Sequence, residues 1–163
     1  VFRFADGDVY EGELLGGDKH GKGKYTSIDG SVYDGEFKNN RFHGKGKLTT
    51  PDGGVYEGEF LNGVKSGTGC YKYANGDSYE GDFVNGIKSG YGKCTYANGD
   101  VYEGGFVGDL REGEGKYVWV NGETYTGQFA KGNMNGYGTY TWPTGRASYT
   151  GYFENGKIVV VEP

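Results

Sequence analysis

Apolar and polar positions alternate along this chain in short bursts. In one of them Tyr79, Gly81 and Phe83 fall on odd positions, and Glu80 and Asp82 on the even ones. A period of two places the rings on one face of a β-strand and the carboxylates on the other. Asn85-Gly86 then supplies a turn, where positive φ costs glycine nothing and asparagine little. A second strand is expected from about Gly90 through Gly92 and Cys94 to Tyr96, before Asn98-Gly99 turns the chain into the next burst. Helical periodicity is absent throughout.

The burst recurs along the whole sequence. Its leading tyrosine returns as Tyr10, Tyr33, Tyr56, Tyr79, Tyr102 and Tyr125 at steps of 23 residues, and as Tyr149 after a step of 24. A fixed period of this length marks a repeat architecture. Asp6-Gly7, Asp29-Gly30, Asp52-Gly53, Asn75-Gly76, Asn98-Gly99 and Asn121-Gly122 each precede a leading tyrosine. Such pairs favour two-residue type I′ turns, so a I′ connection is expected between repeats. Each unit then reads as a β-hairpin. Two strands cannot bury an apolar face alone, but hairpins paired edge to edge can. Glycine pairs (Gly21/Gly23, Gly44/Gly46, Gly67/Gly69, Gly90/Gly92, Gly113/Gly115, Gly136/Gly138) open the second strands. They are expected to make room for the rings of the neighbouring strand.

Tyr-x-Gly-x-Phe, then Asn-Gly, then Gly-x-Gly, at this period and over essentially the whole chain, resembles the MORN repeat (membrane occupation and recognition nexus). The expected organisation is the tail of a preceding repeat at 1–9, six repeats at 10–148 and a divergent or truncated repeat at 149–163, the whole being a fragment of a longer array. The expected fold is all-β: an elongated, twisted, single-layer antiparallel sheet of stacked hairpins. About 14 strands at ~4.8 Å spacing would extend roughly 65 Å.

Composition narrows the function. A net charge of −5 supplies no basic face for nucleic acid. No apolar run approaches membrane-spanning length. Two cysteines in 163 residues suit a reducing, cytoplasmic setting. Cys70 and Cys94 are 24 apart, out of step with the repeat, so they should face opposite ways and form no disulfide. His20 and His43 share a face one repeat apart, about 9–10 Å, too far for one zinc. No metal or cofactor is expected within the chain, with a zinc shared between chains as the minor alternative.

The carboxylates Glu11, Glu13, Asp34, Glu36, Glu57, Glu59, Glu80 and Asp82 recur beside Lys24, Lys47, Lys93 and Lys116. They read as cross-strand charge pairs on a solvated face rather than as acid–base catalysts. The Gly-x-Gly pairs open no helix and so are not phosphate loops. The chain is therefore expected not to be an enzyme.

Three groups of residues remain as candidate sites. Tyr33, Phe37, Tyr56, Phe60, Tyr79, Phe83, Tyr102, Phe106, Tyr125 and Phe129 are expected to line an aromatic groove, mostly core yet open enough to take a partner. Lys19, Lys65, Lys88 and Arg111, with Arg41 one place out of step, form a cationic column, read first as a solubilising rim and alternatively as one able to meet acidic phospholipid headgroups at about 1 kcal/mol each. Tyr149, Tyr152, Phe153, Ile158 and Val160 lie in the deviant last repeat, whose apolar run continues to Val161, and are assigned an end-to-end contact.

Similar proteins use such repeats as cytoskeletal or membrane-associated scaffolds, as adaptors that bind a partner helix, or as arrays beside an enzyme. The resulting expectation is a non-catalytic scaffold or adaptor that forms a homodimer and binds a partner helix or cytoskeletal protein. It would be cytoplasmic and organise cytoskeletal or membrane-associated assemblies. The alternatives are a phospholipid- or phosphoinositide-binding module and a repeat array cropped from a larger enzyme.

Overall fold

The alternation of rings and carboxylates is realised as strands throughout. In the computed structural model, which describes residues 1–160, the chain is all-β and no described residue is helical. Val161, the end of the apolar run, lies outside the described residues. The chain divides into two units, one spanning residues 1–87 and the other beginning at 88.

The first unit holds β1 (Phe2–Arg3), β2 (Val9–Leu15), β3 (Asp18–Thr26), β4 (Val32–Lys38), β5 (Arg41–Thr49), β6 (Val55–Leu61), β7 (Val64–Lys72) and β8 (Ser78–Val84). Each pairs antiparallel with its neighbours in sequence. β9 (Ile87–Thr95) begins at the boundary. It is followed by β10 (Val101–Val107), β11 (Leu110–Val118), β12 (Thr124–Ala130), β13 (Asn133–Thr141), β14 (Tyr149–Glu154) and β15 (Lys157–Ile158). These too pair antiparallel in chain order. Each unit is thus a single layer of hairpins.

The turn inside the repeat is as the sequence placed it, whereas the type I′ turn expected between repeats is not found there. The tight two-residue turn lies inside each repeat: Leu61 pairs with Val64, and Asn62 and Gly63 have φ of 49° and 89°. Positive φ at both central residues is the type I′ geometry that matches strand twist. Between repeats the loop is longer. The Gly30 N–H donates to the Ser27 carbonyl and the Ser27 N–H to the Ser31 carbonyl, with Gly30 at φ 98°. This is a type I turn closed by a left-handed glycine, a three-residue loop. Its aspartate serves another purpose: Asp29 Oδ1 accepts the Ser31 N–H at 2.8 Å, as Asp52 does that of Gly54 and Asn98 that of Asp100. The side chain thereby pins the loop's exit.

Glycine behaves as the sequence suggested, with a sharper reason. Gly58 faces Gly69 across β6 and β7. The Tyr56 ring lies flat over this pair, and a Cβ on Gly69 would fall 2.5 Å and 2.6 Å from its Cε2 and Cζ. Beyond the glycines the register slips between Gly58 and Phe60, a β-bulge. The Tyr56 hydroxyl donates to the Glu59 carbonyl at 2.7 Å, and the Glu59 carboxylate accepts the Thr68 N–H at 2.8 Å. The tyrosine hydroxyl bond recurs at Tyr10, Tyr33, Tyr79, Tyr102 and Tyr125. The carboxylate is absent in the fifth repeat, where Gly105 replaces the acid.

Gly69→Ala should lower stability by about 1–3 kcal/mol, since the new methyl must displace a fully buried ring. Urea unfolding checks this: a midpoint unchanged from the parent would mean the ring does not rest on the glycines.

Candidate functional site

The leading tyrosines and the phenylalanines four residues on form one interlocked row in each unit. In the first unit Phe37 meets Tyr10 and Tyr33 edge-on at 5.3 and 5.0 Å, Phe60 meets Tyr33 and Tyr56 at 5.2 and 5.0 Å, and Phe83 meets Tyr56 and Tyr79 at 5.2 and 5.1 Å. In the second unit the row runs Phe106, Tyr102, Phe129, Tyr125, Phe153, Tyr149 with the same T-shaped contacts. Within the units, Phe37, Phe60, Phe83, Phe129 and Phe153 each bridge the tyrosines of two consecutive repeats. Such edge-to-face pairs add about 0.5–1.5 kcal/mol beyond the area buried.

This packing corrects the expected groove. Tyr33, Phe37, Tyr56, Phe60, Tyr79, Phe83, Tyr102, Phe106, Tyr125 and Phe129 are all between 0 and 4% exposed. They are the core, spent on one another, and show almost no area to a partner.

The cationic column is likewise placed differently from expectation. Lys19 Nζ lies 4.9 Å from the Tyr25 and Phe4 ring centres, and Lys65 Nζ 4.6 Å from that of Tyr71. Lys88 Nζ stands 5.8 Å from the Phe106 ring, and the Arg111 guanidinium 5.2 Å from that of Tyr117. These four cations are half-buried lids on the aromatic face instead of a rim held out to headgroups, which a ring's negative face explains. In the second repeat Phe42 takes the lid position and stacks on Tyr33 at 3.8 Å. Arg41 stands exposed beside the turn, opposite Lys38.

What the aromatic face does present is a second row that the sequence reading passed over. In the second unit Tyr117 and Tyr140 pair across strands with the core residue Tyr125, and the rings of Trp119 and Trp142 follow two residues after them. Successive rings touch: Tyr96 to Tyr117 at 5.9 Å, Tyr117 to Trp119 at 4.5 Å, Trp119 to Tyr140 at 5.2 Å and Tyr140 to Trp142 at 4.7 Å. All five are half-buried. The Arg146 guanidinium lies over Trp142 at 3.9 Å, and Arg111 donates to the Gly132 carbonyl and the Tyr96 hydroxyl, both at 3.0 Å. In the first unit the equivalent positions include Ser27, Leu48 and Thr50, which interrupt any such strip.

The hydroxyl ends of this row are anchored to carboxylates at the loops. Tyr117 donates to Asp100 Oδ2 at 2.7 Å, while Asp100 Oδ1 accepts the Val120 N–H at 2.9 Å. Tyr25 donates to Asp8 and Tyr140 to Glu123 in the same way. Burial, then the bond to Asp8, pushes the Tyr25 phenol up to about 12. Burial likewise pushes Tyr117 and Tyr140 upward. The tyrosine bond holds the Asp8 and Asp100 carboxyls below the ordinary range.

The opposite face is a charge ladder. Glu11 pairs with Lys24, Lys24 with Asp34, Asp34 with Lys47 and Lys47 with Glu57 across consecutive strands. Alternating signs directly opposite one another stabilise a sheet face by tenths of a kcal/mol each. Cys70 stands on this face of the first unit, opposite Glu57 and Glu80, and burial raises its thiol. Cys94 pairs with Tyr102 on the aromatic face of the second unit. Neither is in a disulfide. No group of three metal-ligating side chains occurs among the described residues. His43 Nδ1 is buried without a hydrogen-bond partner.

The last repeat divides its residues between core and surface. Phe153 is 4% exposed and closes the aromatic row, and Tyr149 is half-buried beside it. Tyr152 lies on the other face, 62% exposed, against Tyr137 at 5.4 Å. Ile158 and Val160 are exposed.

Comparison with known proteins agrees with this geometry. The family model described as the MORN repeat matches residues 10–32, 33–55, 56–78, 79–101, 102–124 and 125–145. Among curated proteins none matches the sequence. Among solved structures the chain is similar to the SAS-4 (dCPAP) TCP domain of Drosophila melanogaster, solved in complex with a proline-rich motif of Ana2 (dSTIL). The TM-score is 0.56 at 12% identity, covering 93% of this chain and 81% of that one. At that identity the likeness is one of fold. No described helix is long and apolar enough to cross a membrane.

The anchoring network sets an expected pH dependence. Asp8 and Asp100 have lowered pKa values in the folded chain, so their contribution is complete above about pH 4 and lost as pH falls through the folded values. Tyr25, Tyr33 and Tyr56 are raised to about 12, so theirs is complete below about pH 10 and lost as pH climbs to 12. Thermal unfolding followed across pH should show a plateau falling off at both ends. A midpoint flat from pH 9 to 12 would contradict the buried phenols.

Proposed function

Because the chain belongs to the MORN-repeat family, we propose that it is a non-catalytic protein-binding module whose partner docks on the aromatic face of the second unit. One observation carries this reading: Tyr96, Tyr117, Trp119, Tyr140 and Trp142 form an unbroken strip of half-buried rings. Rigid aromatic side chains give much contact area for little lost rotamer freedom, and Tyr and Trp dominate binding hot spots. The residues beneath them are fully committed to the core, so the strip is the part of this face that a partner would meet. The use of a similar fold by the TCP domain to hold a motif of another protein supports a polypeptide as the occupant. The cations of this face, folded onto rings, favour it over a lipid surface.

Peptides selected from a random displayed library on the parent chain should lose about tenfold or more in affinity for Trp119→Ala or Trp142→Ala. Failure to select any peptide, or binders indifferent to both substitutions, would sink this reading.

A specific observation also favours self-association as the scaffold's second property. Among the described residues β14 is covered by β15 at Phe153 and Glu154 and by the Val159 N–H on the Tyr152 carbonyl, whereas β3, β5, β7, β9, β11 and β13 are each nine residues long. Tyr152, Ile158 and Val160 stand exposed next to this thinly covered edge, which a second copy could extend by strand addition. Light scattering on a sizing column should give the mass of a dimer at micromolar concentration, and Tyr152→Lys should return it to a monomer. A monomeric parent would dispose of the idea.

A further inference from the structure

The strip on the second unit has a period. Tyr117 is followed by Tyr140, and Trp119 by Trp142, each one repeat later. A repeat is two strands wide, so equivalent rings recur about every 9.6 Å across the sheet. A polyproline II helix rises about 3.1 Å per residue and completes a turn in three, about 9.3 Å. Laid across the strands, it would return the same face to equivalent ring pairs with a mismatch of only ~0.3 Å per repeat. Two turns of an α-helix span about 10.8 Å and drift four times faster. An extended strand alternates its faces every residue and falls out of step at once.

Charge selects the residues between. Arg111 is held by a carbonyl and a phenol oxygen, and Arg146 by the face of Trp142. Both partners are neutral, so two guanidinium charges stand on the strip without being cancelled by these contacts. The nearby carboxylates of Asp100 and Glu123 carry charge too, but they are engaged by Tyr117 and Tyr140 at the loops. Asp100 is only 5% exposed, whereas Arg146 is exposed, so the charge a partner meets first is a guanidinium. Complementarity therefore calls for an anionic partner.

We infer that the strip receives a proline-rich segment in the polyproline II conformation, with proline at every third residue and carboxylates between the prolines. This rests on the protein-binding reading and adds to it the conformation, phase and charge of the partner. Proline rings pack on Trp119 and Trp142, and preformed polyproline II loses little entropy on docking.

The test uses synthetic peptides of about nine residues, three turns of this helix. The first is a threefold repeat of Pro-Glu-Ala, the second the same composition with its prolines in one block, the third a repeat of Pro-Lys-Ala. The chain's two tryptophans both lie in the strip, so their fluorescence reports binding directly. The first peptide is expected to bind about tenfold more tightly than either control and to weaken about tenfold with Trp142→Ala. Equal binding of the first two would remove the phase, equal binding of the first and third the charge, and either result overturns the inference, as does the absence of binding by all three. Library peptides that need Trp119 but carry no proline, or that show helical spacing, would overturn it too, while leaving the protein-binding reading intact.

Discussion

A tyrosine laid across two facing glycines is the contact on which the rest of this sheet depends. The ring needs both Cβ positions empty, and its hydroxyl needs the carbonyl that a β-bulge turns toward it. Glycine at the crossing, a bulge beyond it and a hydroxyl-bearing ring are therefore one requirement seen from three sides. Phenylalanine in the leading position would fill the same space and leave the bulge carbonyl without its donor, which explains tyrosine in all six matched repeats. The second aromatic of each repeat has no such duty. It only bridges two rings, and Leu14 stands there in the first repeat, half exposed.

Sequence reading recovered much of this and missed it where one residue type serves two purposes. The period, the hairpins, the split between a ring face and a charged face, and the opposite placement of the two cysteines were legible. Each follows from alternation and spacing alone. The turn between repeats was misassigned because Asn-Gly and Asp-Gly satisfy both geometries. What separates them is whether the first residue bends to positive φ, as Asn62 does, or uses its side chain to hold the loop, as Asp29 does. The second acid of each repeat looked like its neighbour in the charge ladder, yet Glu13, Glu36 and Glu59 each accept a backbone N–H across the bulge.

The candidate site was harder to read for a physical reason. In a one-layer sheet the side chains with the clearest period are those that fill the space between repeats, so the strongest pattern belongs to the core. A binding surface need not be periodic through the whole chain. Tyr117, Trp119, Tyr140 and Trp142 stand in columns that hold Leu48, Thr50 and Cys94 elsewhere, and that irregularity was their signal. The lid cations were similarly misplaced, because spacing alone fixes where a lysine's backbone lies but not that its flexible stem folds back over a ring.

One detail of the turns bears on how long such a chain lasts. Asparagine followed by glycine is the dipeptide most prone to lose ammonia, because the glycine nitrogen can attack the asparagine side chain and close a succinimide ring. Six of these pairs sit at turns, and in each the glycine N–H is engaged: Gly63, Gly86 and Gly156 with carbonyls of the preceding repeat, Gly76, Gly99 and Gly122 within their own loops. The attacking atom is tied to an acceptor, and ring closure requires breaking that bond and unbending the turn. Chemical ageing in this protein is thereby coupled to the fraying of individual repeats. At Gly63, Gly86 and Gly156 a turn whose preceding repeat has come apart loses the acceptor that shields it, so damage there should enter where stacking has already failed.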